Sequence, residues 1–245
     1  MTDSPRILEP KTVSQMFPIL ICAATVWEAR PIAQALKLKE TISGSFFGKF
    51  GGHSILLLKT GMGEEALKKR LAQLPEKSVF SRVISTGFCG ALKPELSTGD
   101  IVCECPSESV SKEIKKIGDF LGLKVYLESI AHATEALHSP KLKKSFAEKT
   151  GALAVDMESV PLKSWVQKTN PHCEFLAMRA VLDCLDDSLP AHLPQNENLT
   201  SFIWYFISHP LSWVNFGSLY LKQKKASKAL VEFLRKFLER SGDLK

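Results

Sequence analysis

The stretch RAVLDCLDDSLP, residues 179–190, places three aspartates directly after an apolar run. A carboxyl group at the end of a buried strand can act as a general acid, because burial raises its pKa towards neutrality. Acidic turns after strands are also ordinary solvated connections. Asp183 ends the apolar run and has apolar sequence neighbours, whereas Asp186 and Asp187 follow a turn later, where we expect a cap of the next segment or exposure to water. The residue types alone leave open which of the three takes part in chemistry.

Three more acidic residues follow strand-like segments. Glu28, in AATVWEARPI, comes after the first of these, although alone it is typical of a surface residue. Asp156 and Glu158, in AVDMES, lie at a strand-to-helix junction. Asp156 suits a helix cap, and the helix dipole favours an acid in the first turn. Glu158 is also placed to accept hydrogen bonds from two sugar hydroxyls.

Two glycine-rich turns follow other strand-like runs: TGMG at 60–63 and STGFCG at 85–90. Glycine at such points permits positive φ and close approach of the backbone to a ligand. Neither fits the G-x-G-x-x-G dinucleotide pattern or the phosphate-loop pattern. Each by itself is typical of a plain tight turn.

Strand-like and helix-like segments alternate along the chain, which predicts an α/β fold. Buried strands are predicted at 17–24, 53–60, 79–86, 151–155 and 174–183. Ligands in open α/β sheets bind beyond the carboxyl ends of the strands. We therefore expect the acidic and glycine-rich loops to converge on one crevice.

We expect one α/β domain over residues 1–195 and a helical C-terminal extension over 196–245, packed on or beside it. Pro210 is expected to separate two helices in the extension. One stripe at helical spacing is formed by Ala226, Leu230, Phe233 and Phe237.

Composition is that of an ordinary globular protein, with 44% hydrophobic and 24% charged residues and a net charge of +6. The excess of lysine lies in KLKKSFAEK and in the tail from LKQKKASK onward. We interpret these runs as solvated helix faces, with an anionic membrane surface as the alternative for the tail. No nucleic-acid partner is predicted.

Nothing in the sequence indicates a metal or an organic cofactor. Cys103 and Cys105 form a CxC without a second pair or nearby histidines, and the six histidines show no ligand spacing. The start of the chain has no apolar signal region, and the apolar patch FIWYFI is too short to span a bilayer. These features predict a reduced, cytoplasmic protein.

In order along residues 17–190, the motifs together resemble the nucleoside phosphorylase and nucleosidase superfamily. The segments that carry the resemblance are FPILICAATVWEARPI, LLLKTGMGEEAL, VISTGFCGALKPELSTGDIV, GALAVDMES and MRAVLDCLDD. The resemblance implies a three-layer α/β/α sandwich around a twisted mixed central sheet. It also implies a small-molecule nucleoside substrate.

Site residues follow from the resemblance by position. Asp183 matches the acid that protonates the purine at N7, and Glu28 matches the acid that positions water at C1′ in the hydrolytic branch. Met157 and Glu158 match the pair that holds the ribose. Gly61, Gly87 and Gly90 match loop positions that come close to the ribose or the phosphate, and Phe88 and Cys89 of the same loop are also expected to contact the substrate.

Two positions depart from the family pattern. Leu182 stands where nucleosidases commonly have serine, so a hydrogen bond to the acid is missing. Phe88 stands where phosphorylases commonly have a small hydroxylated residue that contacts phosphate. Without that donor and with Glu28 nearby, water is the expected nucleophile, and the activity expected is that of a purine (adenine) nucleosidase.

Within the superfamily, the chain resembles the methylthioadenosine/adenosylhomocysteine nucleosidases. It also resembles the hopanoid-associated branch, which is thought to remove adenine from adenosylhopane. The aromatic and basic tail suits a membrane interface, although its aromatics are equally suited to packing or to a homodimer interface. A phosphorylase with an altered phosphate site and a non-catalytic nucleoside- or lipid-binding protein are the alternatives.

Overall fold

The computed structural model describes residues 18–42, 44–75, 78–189 and 213–242. The strands are β1 Ile19–Ala23, β2 Lys39–Ile42, β3 Ser45–Phe50, β4 His53–Lys59, β5 Arg82–Ala91, β6 Ile101–Glu104, β7 Val125–Leu127, β8 Ile130–His132, β9 Ala154–Asp156 and β10 Glu174–Asp183. The helices are α1 Val26–Ala35, α2 Gly63–Leu71, α3 Glu108–Leu121, α4 Pro140–Thr150, α5 Ser159–Thr169 and α6 Trp213–Gly242.

One mixed sheet runs through the molecule in the order β2-β3-β4-β1-β5-β10-β6-β7, and β9 pairs with both β5 and β8. The centre is parallel, since β4, β1, β5 and β10 pair in the same direction. β6 runs antiparallel to β10, and β3 runs antiparallel to β4. The carboxyl ends of the central strands therefore meet at one edge.

Side chains of β1 point alternately to the two faces of the sheet, and this alternation shows why helices cover both faces. Ile19 and Ile21 point into a core shared with α1, α3 and α6, whereas Leu20 and Cys22 point into a core shared with α2 and α5. Successive strand residues face opposite sides, so a strand that is apolar throughout must be buried on both. The expected three-layer α/β/α sandwich is confirmed.

Helix α6 lies across the same core as α1 and α3. The predicted stripe is buried and continues at neighbouring positions, so that the packed face comprises Ala226, Ala229, Leu230, Phe233, Leu234, Phe237 and Leu238. Pro210 and the boundary between residues 195 and 196 lie outside the described residues, and the division into a domain and an extension stays a prediction.

β5 is longer than the sequence indicated. The strand was expected to end near residue 86 and to open into a glycine loop, but it continues to Ala91. Gly90 pairs with Val155 of β9 on one side and with Asp183 of β10 on the other. The glycine segment is therefore part of the sheet, because partners from distant parts of the chain satisfy its backbone.

Within the described ranges, no helix combines the length and the apolar character needed to cross a bilayer.

The packing of α6 predicts that replacing a buried leucine of this helix lowers the stability of the protein more than replacing an exposed one. Leu234 is 1% exposed and Leu221 is 67% exposed. We expect Leu234→Ala to lower the free energy of unfolding by about 2–5 kcal/mol, because it leaves a cavity in the core. Leu221→Ala serves as the control and should stay within about 0.5 kcal/mol of the parent. Equal effects of the two changes in urea unfolding would contradict this packing.

Candidate active site

Glu28 is buried at the start of α1, where the sequence provides its partners. Thr25 precedes the helix, and its backbone N–H and hydroxyl both donate to Glu28 Oε2, at 2.7 and 2.9 Å. The other oxygen, Oε1, accepts the backbone N–H of Phe88 at 2.8 Å. Burial raises the pKa of Glu28, against the opposing effects of Arg179 and these hydrogen bonds. A carboxyl group from α1 is thus fixed against the glycine segment of β5.

The first glycine turn brings the carboxyl end of β4 beside that of β1. The N–H of Gly61 donates to the carbonyl of Ala24 at 2.9 Å. Gly61 has a φ of +86°, and a Cβ there would lie 2.8 Å from the Cβ of Ala66. The N–H of Gly63 donates to Glu158 Oε1 at 2.8 Å. Glycine is needed at Gly61 because of both its φ and its close approach to α2.

Glu158 precedes α5 and is 8% exposed. Burial raises its pKa to about 7, although the positive charge of Arg179 acts in the opposite direction. Met157 lies beside it, with its Cε 3.6 Å from where a Cβ on Gly63 would be. The predicted pair therefore faces the first glycine turn.

Arg179 is the residue that links these groups, and the sequence reasoning missed it. Its guanidinium is fully buried, with Nη2 2.7 Å from Asp156 Oδ2 and 3.8 Å from Glu158 Oε2. It also donates to the Ser85 hydroxyl at 2.7 Å and to the Thr86 carbonyl at 3.1 Å. The available signal was an arginine inside the apolar run of β10, since such a residue is rarely buried without partners.

Gly87 lies where Glu28 and Arg179 approach β5. Its φ is +144°, and a Cβ there would clash with the Glu28 carboxylate and would lie 2.6 Å from Arg179 Nη1. Because Gly87 has no side chain, Glu28 of α1 and Arg179 of β10 can both approach β5 at this point.

Asp156 has the structural function that the sequence favoured. Its carboxylate accepts the backbone N–H and the hydroxyl of Ser159, the first residue of α5, and pairs with Arg179. Asp156 therefore anchors α5 and the guanidinium together.

Asp183 is 4% exposed and ends β10. The register between β10 and β5 shifts between Val181 and Asp183, which brings Asp183 opposite Gly90. Bulges of this kind redirect side chains next to functional sites. Both carboxylate oxygens lie within 3.6 Å of where a Cβ on Gly90 would be. Burial raises the pKa of Asp183, and Lys143 opposes this effect.

The interpretation of KLKKSFAEK as a solvated helix face is wrong at Lys143. This side chain is fully buried, and its ammonium group contacts the carboxylate of Asp183. Leu182 was expected to leave Asp183 without its usual partner, and Lys143 of α4 pairs with the carboxylate from another element. Leu182 itself packs against the core shared with α6, while its carbonyl accepts the Thr98 hydroxyl at 3.1 Å.

Asp186 and Asp187 are separate from this group. Asp186 pairs with exposed Lys144 at 2.7 Å. Asp187 accepts the backbone N–H of Cys184 at 2.7 Å and pairs with Lys222 of α6 at 2.6 Å. Both thus cap a turn or face the surface, in agreement with the prediction.

The second glycine segment lies between the two carboxyl groups. The backbone N–H of Phe88 donates a hydrogen bond to Glu28, and the half-buried ring of Phe88 packs against the core. Burial raises the pKa of the Cys89 thiol, so this group stays protonated. Together, β1, β4, β5, β9 and β10 bring all the predicted site residues to one edge of the sheet.

Comparison with known proteins agrees with this fold. The family model described as "Phosphorylase superfamily" matches residues 18–105. A 5′-methylthioadenosine/S-adenosylhomocysteine nucleosidase of Bacillus thuringiensis subsp. konkukian is 37% identical over 65 residues, which are 26% of this chain and 28% of that protein. The chain thus matches little more than a quarter of that curated relative's length.

Among solved structures, the 5′-methylthioadenosine/S-adenosyl homocysteine nucleosidase of Campylobacter jejuni superimposes with a TM-score of 0.67 at 17% identity, covering 91% of this chain and 99% of that one. The futalosine hydrolase of Helicobacter pylori superimposes with a TM-score of 0.64 at 17% identity, covering 91% and 100%. Residues 18–105 are thus similar to the phosphorylase superfamily, and the fold of the chain is similar to that of these two solved structures. The structural similarity covers 91% of the chain and so extends well beyond the segment that the family model matches.

Glu158 makes the stability of this protein depend on pH. Because folding raises its pKa from 4.5 to about 7, its contribution to stability is fully present below pH 4.5 and is lost as the pH rises through 7. A shift of this size corresponds to about 3 kcal/mol.

We expect Glu158→Gln to remove this dependence. In urea unfolding, the variant should gain stability relative to the parent as the pH rises from about 4.5 to about 8. If the stability difference between variant and parent stays constant over this pH interval, Glu158 does not bind a proton there and the prediction is wrong.

Proposed function

We propose that the protein is a purine nucleosidase that cleaves the N-glycosidic bond of an adenosine derivative by attack of water at C1′. The observation that supports this most is the placement of two buried carboxyl groups along one strand. Glu28 is held against Gly87 and Phe88 of β5, and Asp183 lies opposite Gly90. Residues 87 and 90 are roughly 10 Å apart along a strand. In inverting glycosidases, a pair of carboxyl groups roughly 6.5–9.5 Å apart accommodates the reacting sugar and a water.

Asp183 is the proposed general acid. Departure of a purine is easiest when a proton reaches N7, because the protonated base takes the electron pair of the broken bond and leaves as a neutral molecule. A proton donor must be protonated near neutral pH. The burial that raises the pKa of Asp183 favours that state.

Glu28 is the proposed acceptor of the proton from water. Its carboxylate is already oriented by Thr25 and by the Phe88 N–H. Each carboxylate oxygen has two lone-pair directions, so a water can bind in addition to these donors. The hydrogen bonds at the start of α1 orient the Glu28 carboxylate. In the proposed mechanism, this carboxylate then holds the attacking water on the side of the sugar away from the base.

Glu158 and Met157 form the proposed ribose site. Glu158 Oε1 is engaged by Gly63, while Oε2 lies 3.8 Å from Arg179 and has room for hydroxyl donors. A hydrogen bond to a charged group contributes about 1.5–3 kcal/mol. Contact of Met157 with the sugar face would complete the site.

Several contacts favour water over phosphate. An anion entering beside Glu28 would meet a carboxylate. The Phe88 N–H, which a phosphate would use, already donates to Glu28. The guanidinium of Arg179 is engaged with Asp156, Ser85 and the Thr86 carbonyl. Phosphorolysis by an altered phosphate site is therefore the second candidate, and nucleoside or lipid binding without turnover is the third.

An apolar 5′ substituent suits the edge of the site. Trp27, beside Glu28, is 50% exposed, and Met62, beside Gly63, is 45% exposed. They follow strands that pair side by side, so both flank the same crevice. Methylthioadenosine has a small apolar substituent of this kind, and adenosylhopane has a large one.

A lipid-linked substrate would have to be taken from a membrane, and we propose a peripheral contact through the C-terminal segment. Tyr220 and Leu221 of α6 are exposed, and the ammonium of Lys224 lies 5.2 Å from the Tyr220 ring. Aromatic and basic side chains together suit an anionic bilayer surface. A homodimer and a cytoplasmic location remain predictions.

An adenine-release assay tests the activity. The protein is incubated with methylthioadenosine, adenosine and adenosylhopane, each with and without phosphate. We expect adenine and a free sugar without phosphate, because water is the nucleophile. Sugar 1-phosphate formed only with phosphate would indicate a phosphorylase. Binding without turnover of any of the three would indicate the non-catalytic alternative.

Replacement of the two carboxyl groups tests their assignment. We expect Asp183→Asn and Glu28→Gln each to lower kcat by about 10²–10⁴-fold, the usual contribution of general acid–base catalysis. Asp186→Asn is the control for Asp183, since its carboxylate pairs at the surface with Lys144. Full activity of Asp183→Asn, with the control unchanged, would show that the acid lies elsewhere.

A further inference from the structure

Lys143 is a buried lysine in a helix that otherwise exposes its lysines. It lies on α4 and shares its buried face with Ala147, whereas Lys141 and Lys144 of the same helix are exposed. Taking an ammonium group out of water is costly unless every N–H finds an acceptor. The contacts of Lys143 therefore have to account for its burial.

The ammonium group has three acceptors around it. It donates to the carbonyl of Cys184 at 2.7 Å and to the carbonyl of Asp187 at 3.1 Å. Its third partner is the Asp183 carboxylate, through Oδ2. The ammonium group therefore has two carbonyl acceptors and one carboxylate as its counter-ion. The turn after β10 is thus folded around Lys143, and Asp183 is attached to the same point.

We propose that Lys143 is a positioning residue for the general acid. By holding Oδ2 of Asp183, it leaves Oδ1 to carry the proton towards the purine, and its charge stabilises the carboxylate that remains. This inference rests on the proposed function and extends it to a residue on a different helix. Lys143 acts through Asp183 and does not touch the substrate.

The proton and electron movements are balanced by this arrangement. The proton on Asp183 Oδ1 moves to N7 of the purine, and the C1′–N9 bond breaks with its electron pair going to the base. Water forms the new C1′–O bond and gives its proton to Glu28. Asp183 is then a carboxylate against the ammonium group of Lys143, which keeps all three protons throughout.

Other charged groups near the acid are already paired or stay neutral. Asp187 lies close enough to affect Asp183, but its carboxylate pairs with Lys222 of α6 at 2.6 Å. Cys89 is close on the β5 side, and burial raises its thiol pKa. The direct ammonium contact therefore makes Lys143 the cation best placed to affect proton transfer from Asp183.

A purely structural function would be to hold the turn through the two carbonyl groups. The two functions differ in their effect on the pH profile. Loss of the Lys143 charge raises the pKa of Asp183 further, because only the opposing effect of the cation is removed. Since the acid must be protonated to act, the alkaline limb of activity then moves to higher pH. Loosening of the turn alone lowers activity without moving this limb.

The experiment uses the full chain, with Lys143→Met as the variant and Lys144→Met as the matched control at the adjacent exposed position. Adenine release from methylthioadenosine is followed over pH, and folding is checked by thermal unfolding. For Lys143→Met we expect kcat to fall about 10²-fold with a small change in KM, and the alkaline limb to move to higher pH. Lys144→Met should match the parent. Parental activity of Lys143→Met, or lower activity with the limb unmoved, overturns the proposal.

A second pair of variants tests the same proposal even if Lys143→Met fails to fold. Asp183→Asn is compared with Lys143→Met/Asp183→Asn, which removes both buried charges together. If Lys143 acts through Asp183, the two residual activities should agree within about twofold. A further large loss in the double variant overturns the proposal. Absence of turnover by the parent protein, or full activity of Asp183→Asn, would instead refute the proposed function itself.

Discussion

The burial of carboxyl groups at the carboxyl edge of the central sheet is the constraint on which the site depends. A buried carboxylate is tolerated only when donors or cations compensate for its lost hydration. Asp156 has the guanidinium of Arg179, Asp183 has the ammonium of Lys143, and Glu28 has Thr25 and the Phe88 N–H. The elements that meet at this edge are held together by these compensating contacts.

The compensation is incomplete where chemistry is proposed. Burial raises the pKa of Glu28, Glu158 and Asp183 despite their partners. A raised pKa shifts each of these groups in the direction that acid–base catalysis of glycosidic cleavage requires of a proton donor. By contrast, Asp156 is bound at once by Arg179 and Ser159, and its contacts are those of a structural anchor.

Helix α6 connects the core to the site. Its apolar face fills the side of the sheet that α1 and α3 also cover, and Lys222 on the same helix pairs with Asp187 in the turn that encloses Lys143. The position of the turn after β10 therefore depends on packing of the C-terminal helix as well as on α4. A segment that looks like an appendage in the sequence thus contributes to the surroundings of the acid.

Much of the framework could be predicted from local patterns. The apolar run that became β10 was predicted with the bounds that the structure shows, and the stripe on α6 was correctly identified, because both depend on periodicity within one element. The resemblance to the nucleoside phosphorylase and nucleosidase superfamily was also recognisable, since the motifs occur in order at strand ends. The positions of Glu28 and Asp183 at one edge then follow from the parallel central strands, whereas Glu158 reaches that edge after β9, which runs antiparallel to β5.

The tertiary structure decided the features that depend on distant partners. Lysine is ordinarily exposed, and burial of Lys143 is favourable only because a turn 41 positions away supplies acceptors. The sequence places Arg179 in a buried strand but does not show that Asp156 and Ser85 would surround it. β5 continues through glycines because β9 and β10 pair with it on both sides. Local sequence thus determined the elements and their order, whereas the partners of the buried charges were determined by chain segments that meet only in the folded protein.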